Sequence, residues 1–240
     1  MVETGENERD YKWNIEGELF RIGGSPSSKN GVVSLEYEKM SKWRGSHESG
    51  EFHSAADRLQ VMDEEDTLIS VNYPTLLLQW PIAKDPKLNQ ALTRAYNNWV
   101  CDISSQAPDR LKWVTVICPS DPEEAAREMR RTKKMGSVGV MVLGEYNEKG
   151  LDHPDFEVIW QTANDIGMPV NVHPGTGALK AWEDYPSVAA DQFLMSVVRG
   201  FKTICSSGIL DRYPDVTVSF LETGCTWVDF AIEVMDFTLD

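Results

Sequence analysis

Residues 114–143 read VTVICPSDPEEAAREMRRTKKMGSVGVMVL, and this stretch decides the fold. It opens on an apolar run of strand type, residues 114–118. Asp121 then stands before Pro122, the order of a helix cap followed by proline at the first helical position. Glu124, three residues after the cap, completes a capping box, and the acidic first turn suits the helix dipole. Arg130, Arg131, Lys133 and Lys134 gather at the other end, and Gly136 stops the helix. A second apolar run follows at residues 138–143. Strand, capped helix and strand in this order predict parallel pairing through a right-handed crossover.

The same rhythm extends in both directions. Upstream, Ser54 caps a helix whose inner face carries Ala55, Leu59 and Met62, and residues 68–73 (LISVNY) form a strand that Pro74 ends. Asp85-Pro86 starts a helix with a stripe at Leu88, Ala91, Leu92, Ala95, Trp99 and Ile103. Downstream, Pro154 begins a helix that turns Phe156, Ile159, Trp160 and Ala163 inward, and Gly167 stops it. Residues 169–172 form the next strand. A longer helix carries Val188, Leu194, Val198, Phe201 and Cys205 on its stripe and ends at Gly208. Residues 216–221 are the fifth strand, and Trp227, Phe230, Ala231 and Val234 start the last helix.

Residues 68–240 thus hold about five βα units of an α/β protein, and two architectures compete. One is a (β/α)8 TIM-type barrel, the other an open doubly wound sheet. No G-x-G-x-x-G follows any strand, so the nucleotide-binding version of the open sheet has no support. Eight units at this pace need roughly 280 residues, so a barrel here is incomplete, with raw strand edges at both ends. Residues 1–50 differ from the rest: a charged, frayed tail, a hairpin at residues 11–22 turning on Glu16-Gly17, and polar loops at 23–31 and 42–50. The expected division is therefore residues 1–50 as tail, hairpin and loop, and residues 51–240 as the partial barrel.

Composition narrows the function. The chain has 240 residues with 23 basic and 38 acidic side chains, a net charge of −15. That balance argues against nucleic-acid backbones and anionic lipid as partners. No apolar run is long enough to span a membrane, and the polar, acidic start is not a secretory leader. Cys101, Cys118, Cys205 and Cys225 are widely spaced, without C-x-x-C pairs, and are expected to be reduced, mostly buried thiols of a cytoplasmic protein.

In parallel α/β folds, chemistry collects at the carboxyl ends of the strands. Residues 169–175 read PVNVHPG, and period two puts Asn171 and His173 on one face and the valines on the other. A neutral imidazole there suits zinc, manganese or iron; the plainer alternative is a histidine satisfying the turn before Pro-Gly. Glu222 ends the apolar strand at 216–221 and is expected to be partly buried. It suits a metal ligand, a general acid or base, or a partner of a ligand; the plainer alternative is a cap on the next helix. His47 and His53 lie in polar sequence and read as exposed, and His153 before Pro154 reads as local turn chemistry. No H-E-x-x-H, G-x-S-x-G or phosphate loop is present. One histidine and one glutamate are too few for a closed metal site.

Several segments, in order and spacing, resemble the amidohydrolase-related family, which includes aminocarboxymuconate-semialdehyde and resorcylate-type decarboxylases. They are residues 58–65 (RLQVMDEE) leading into 71–75 (VNYPT), then 95–99 (AYNNW), 108–112 (PDRLK) and 121–125 (DPEEA). Residues 139–143 (GVMVL), 151–156 (LDHPDF), 169–175 (PVNVHPG) and 220–227 (FLETGCTW) continue the series. The resemblance covers roughly residues 55–240. It implies a distorted (β/α)8 barrel with a divalent metal at its mouth, zinc first, with manganese or iron as alternatives. It also implies His173 as the metal-binding histidine of the fifth strand. This sequence departs from the family pattern in three places. No first strand carrying a D-x-H-x-H or E-x-H pair is read (Glu51-Phe52-His53 stands at a helix entry), the last-strand aspartate is absent, and Glu222-Thr223-Gly224 stands where the decarboxylases tend to have His-Gly-Gly. The expectation is a fragment of a metal-dependent hydrolase or non-oxidative decarboxylase, with a small, flat organic carboxylate as substrate. Trp80, Trp182, Tyr185 and Trp227 suit such a substrate, and Arg44, Arg58 and Lys180 are loose candidates for its carboxylate. The competing expectation is a non-catalytic binding or scaffold protein on a degenerate barrel, a homo-oligomer that covers its open edges.

Overall fold

In the computed structural model, the residues described are 2–3, 11–21, 54–74, 77, 83–175 and 189–239. The loops at 23–31 and 42–50, and His47, His53, Trp80, Trp182, Tyr185, Arg44 and Lys180, lie outside them.

The chain opens with a three-stranded antiparallel sheet, β1 (Val2–Glu3), β2 (Tyr11–Ile15) and β3 (Glu18–Arg21). Glu16 and Gly17, at φ 53° and 85°, form the two-residue turn whose twist matches the strands it joins. The tail expected to fray contributes β1, which pairs Val2 with Lys12 and Glu3 with Tyr11. The Glu16 carboxylate accepts the backbone N–H groups of Lys84 and Asp85, so the hairpin turn sits on the start of the second helix.

The barrel rhythm then runs as read. The elements are α1 (Ala55–Glu64), β4 (Ser70–Asn72), α2 (Pro86–Ser104), β5 (Leu111–Val116), α3 (Pro122–Lys134) and β6 (Gly139–Leu143). A small hairpin, β7 (Glu145–Tyr146) with β8 (Lys149–Gly150), precedes α4 (Glu157–Asp165) and β9 (Val170–His173). Then come α5 (Ala189–Ser206), the short α6 (Ile209–Arg212), β10 (Val218–Phe220) and α7 (Val228–Leu239). Ser54, Asp85 and Asp121 cap their helices by accepting backbone N–H groups, as their positions require. Only half of the expected capping box forms, because the Glu124 carboxylate turns to Arg127 instead.

The five strands β4, β5, β6, β9 and β10 are parallel and lie side by side in chain order. This order decides between the two architectures. A doubly wound sheet reverses direction at a switch point. A strictly sequential order with right-handed crossovers keeps every helix on one face and rolls the sheet toward a barrel. The roll is visible at the mouth. Tyr73 follows β4 and His173 ends β9, three strand spacings away, or about 14 Å on a flat sheet. Their ring centroids are 5.9 Å apart.

Two helices do not bury the stripes their apolar residues suggest. The inner face of α2 carries Asn89, Thr93, Asn97, Val100 and Ile103, while Trp99 is exposed. The inner face of α5 carries Ser196, Val197, Gly200 and Ile204, while Leu194 and Cys205 are exposed. Small residues on α5 allow its backbone to lie against Gly144, beyond the end of β6. Phe230 on α7 is likewise exposed. All four cysteines are free thiols, but Cys205 and Cys225 are exposed rather than buried.

Candidate active site

Period two in β9 works as read. Val170 and Val172 are buried and share their side of the sheet with Val140 and Val142, their partners on β6. Asn171 and His173 face the other side and are also buried. Asn171 serves the backbone: its amide donates to the Val140 carbonyl at 3.2 Å. It lies so close over Gly139 that a Cβ there would come within 2.4 Å of its Nδ2. His173, at the strand end, is therefore the polar side chain of β9 turned to the mouth.

The contacts of His173 fix its chemistry. Nδ1 lies 2.8 Å from the Pro174 carbonyl. A carbonyl only accepts, so Nδ1 carries the proton and Nε2 of the neutral ring keeps a bare lone pair. That lone pair faces Glu222 Oε2 at 3.7 Å. Two electron-rich atoms facing each other call for a cation or a proton between them. The plainer reading of His173, a turn contact before Pro-Gly, is also present in the Nδ1 bond, but it uses only one ring nitrogen. The hydrogen bond at Nδ1 is itself the arrangement that orients metal-binding histidines.

Glu222 reaches this position through the sheet and a strained turn. The Leu221 N–H donates to the Val172 carbonyl at 3.0 Å, so the β10 ladder continues to the residue before it. Glu222 then adopts φ +56°, a left-handed conformation unusual for a side-chain-bearing residue, and Gly224 follows at φ +60°. The Trp227 indole donates to the Thr223 carbonyl and packs edge-on to Phe201, which meets Phe220 in the same way. This aromatic wedge holds the turn. Glu222 was expected to be partly buried; its side chain is instead 57% exposed, because the turn throws it past the strand end. Its carboxylate faces the imidazole rather than capping α7, which begins at Val228.

Among the described residues, no third His, Cys, Asp or Glu joins this pair in a group able to hold a metal ion. The pair fits one side of a metal site in tautomer, orientation and donor type, but does not close one. The other sequence candidates fall elsewhere. His153 accepts the Asp155 N–H at the start of a 3₁₀ turn, the local role expected of it. Arg58 donates to Ser70 at the opening of β4, away from the mouth. Trp227 supports the Glu222 turn. An apolar cavity of about 30 Å³, lined by residues such as Met141, Leu143, Phe156 and Trp160, does not include His173 or Glu222 in its walls.

Two residues near the strand ends were not singled out from sequence. Tyr73 tilts over His173. Glu145, just past β6, is buried and bonded to Arg199 at 2.8 Å; burial pushes its carboxyl above the usual range and the Arg199 charge opposes that. Tyr73 directly follows β4 and Glu145 stands two residues past the end of β6, both near strand ends as His173 and Glu222 are.

The chain is 27% identical over 179 residues to gamma-resorcylate decarboxylase of Polaromonas sp. strain JS666, covering 67% of this chain and 53% of that protein. The chain thus spans about half the length of that relative. The fold is shared with 5-carboxyvanillate decarboxylase from Novosphingobium aromaticivorans, solved with manganese and 4-hydroxy-3-methoxy-5-nitrobenzoic acid. The TM-score is 0.66 at 20% identity, over 88% of this chain and 62% of that one. An amidohydrolase from Mycobacterium avium subsp. paratuberculosis also matches at TM-score 0.66 and 18% identity, over 80% of this chain and 53% of that one. The amidohydrolase family model matches residues 77–237, a segment that contains both His173 and Glu222. That match spans more than half of the sequence, and the chain belongs to the amidohydrolase family.

Proposed function

We propose that this chain carries part of the active site of a metal-dependent, non-oxidative decarboxylase of small, flat carboxylates. The observation that carries the reading is Nε2 of His173 facing the Glu222 carboxylate at 3.7 Å at the strand ends, with Nδ1 taken up by the Pro174 carbonyl. The names of relatives, gamma-resorcylate and 5-carboxyvanillate decarboxylase, support the substrate class. His173 would hold a divalent cation (zinc, manganese or iron), with Glu222 beside it. Such a cation supplies Lewis acidity toward a substrate carboxylate or a water. In decarboxylation the carbon that loses CO₂ takes up a proton in its place. Glu222, exposed and adjacent to the imidazole, is the group we assign to carry that proton. A hydrolase is the second reading, favoured by the same exposure, which leaves room for a water at Glu222. Residues 51–240 are the barrel portion in this proposal, and residues 1–50 an addition docked through Glu16.

His173→Ala should remove bound metal. The check is elemental analysis of purified wild-type and variant protein, together with CO₂ release from gamma-resorcylate. Loss of metal and activity in the variant supports the assignment. Unchanged metal content removes His173 as a ligand. A folded wild-type protein free of metal and activity favours the scaffold reading.

A further inference from the structure

Among the described residues, one hydrogen bond holds the His173 imidazole, between Nδ1 and the Pro174 carbonyl. One hydrogen bond to the carbonyl of the next residue does not by itself fix the ring: rotation about Cβ–Cγ breaks that bond, releases the tautomer and carries Nε2 away from Glu222. The second restraint comes from the far side of the mouth. Tyr73, half-buried against the central core after β4, lays its ring 5.9 Å from the imidazole at an interplanar angle of 35°. The contact joins residues 100 positions apart in sequence and three strands apart in the sheet. It exists only because the sheet is rolled. Aromatic rings at this separation attract through their faces and edges and restrict each other's tilt.

We infer that Tyr73 is a positioning residue, whose ring keeps the His173 imidazole turned so that Nε2 faces Glu222. The inference rests on the proposed metal role of His173 only for its effect on metal affinity; the ring orientation stands apart from it. The ring, and not the hydroxyl, carries the role.

The test uses the full chain and three variants, Tyr73→Phe, Tyr73→Leu and Tyr73→Met. Nitrogen NMR of the histidine side chains at a pH where imidazole is neutral reads the tautomer of His173, with the resonance assigned by its loss in His173→Ala. Wild type and Tyr73→Phe should show one tautomer, protonated at Nδ1. Tyr73→Leu and Tyr73→Met should show a mixture, and their affinity for Mn²⁺ should fall about tenfold, the usual loss when a ligand's supporting partner is removed. Tyr73→Met keeps apolar bulk without a planar ring, and it stands in if Tyr73→Leu does not fold. A single tautomer with unchanged Mn²⁺ affinity in a folded, ring-less variant overturns the inference. If wild type binds no Mn²⁺, the metal reading falls, and the tautomer measurement alone decides the role of Tyr73.

Discussion

Gly144→Ala should cost about 3 kcal/mol or more of stability, the upper end of overpacking penalties. A Cβ built at Gly144 would stand 1.7 Å from the backbone carbonyl oxygen of Ser196 on α5. No rotamer change relieves that overlap, because the obstacle is main chain. Gly200 faces it from the helix, where an added Cβ would lie 2.9 Å from the Cα of Gly144. The two glycines let α5 and the end of β6 touch backbone to backbone. Gly144 is not among the glycines at positive φ, so the cost is one of space alone. Gly167→Ala is the control: it sits at φ +57° with open space around its Cβ, and should cost only about 1 kcal/mol. Urea unfolding of both variants gives the comparison. Equal losses would mean that α5 is free to move off the sheet.

That contact also explains why hydrophobic periodicity points to a different face of α5 from the one that is buried. Hydrophobic periodicity assigns the buried face to the largest apolar residues. Here the closest approach selects the smallest, Ser196 and Gly200, and turns Leu194 and Cys205 outward. In α2 the buried face is polar for a different reason, since Asn89 and Asn97 bond to main-chain groups off the helix. Caps and stops depend on neighbours in sequence, and they were legible: Ser54, Asp85, Asp121, Gly136 and Gly167 all act where read. Strand order and roll depend on partners far away, so the choice between barrel and open sheet waited for the three-dimensional arrangement.

The site follows the same division. His173 and Glu222 were legible because each follows an apolar strand, and strand ends are where parallel folds place chemistry. Their meeting at 3.7 Å needed the pairing of β9 with β10 and the left-handed turn at Glu222. Nothing in the sequence around Glu222 announces that turn except Gly224 two residues on. Tyr73 was harder still, since its contact with His173 spans the rolled sheet.

Asn97→Ala should cost about 3 kcal/mol at neutral pH, and less in acid. β4 pairs with β5 only through Trp113, so the main chain of Val116 lies beyond the reach of that strand. Asn97 takes the missing strand's place: Oδ1 accepts from the Val116 N–H at 3.0 Å, and Nδ2 donates to the Val116 carbonyl at 2.9 Å. Both backbone groups are fully buried, and each would be left unsatisfied at about 1–3 kcal/mol. The same Nδ2 donates to Glu128 Oε1, which also receives Arg131. Burial pushes the Glu128 carboxyl up, but hydrogen bonds from Arg131 and Asn97 and the Arg131 charge outweigh it and hold the carboxyl below its ordinary range. A group with a lowered folded pKa contributes stability above its unfolded pKa, near 4.3 for glutamate, and loses it as pH falls through the folded value. Removing Asn97 removes one of the lowering interactions, so the variant has less of this pH-dependent stability to lose. Urea midpoints at pH 7 and about pH 3 should therefore lie closer to wild type in acid than at neutrality. The same deficit at both pH values would separate the role of Asn97 at the β5 backbone from any hold on Glu128, and would leave that carboxylate to Arg131 alone.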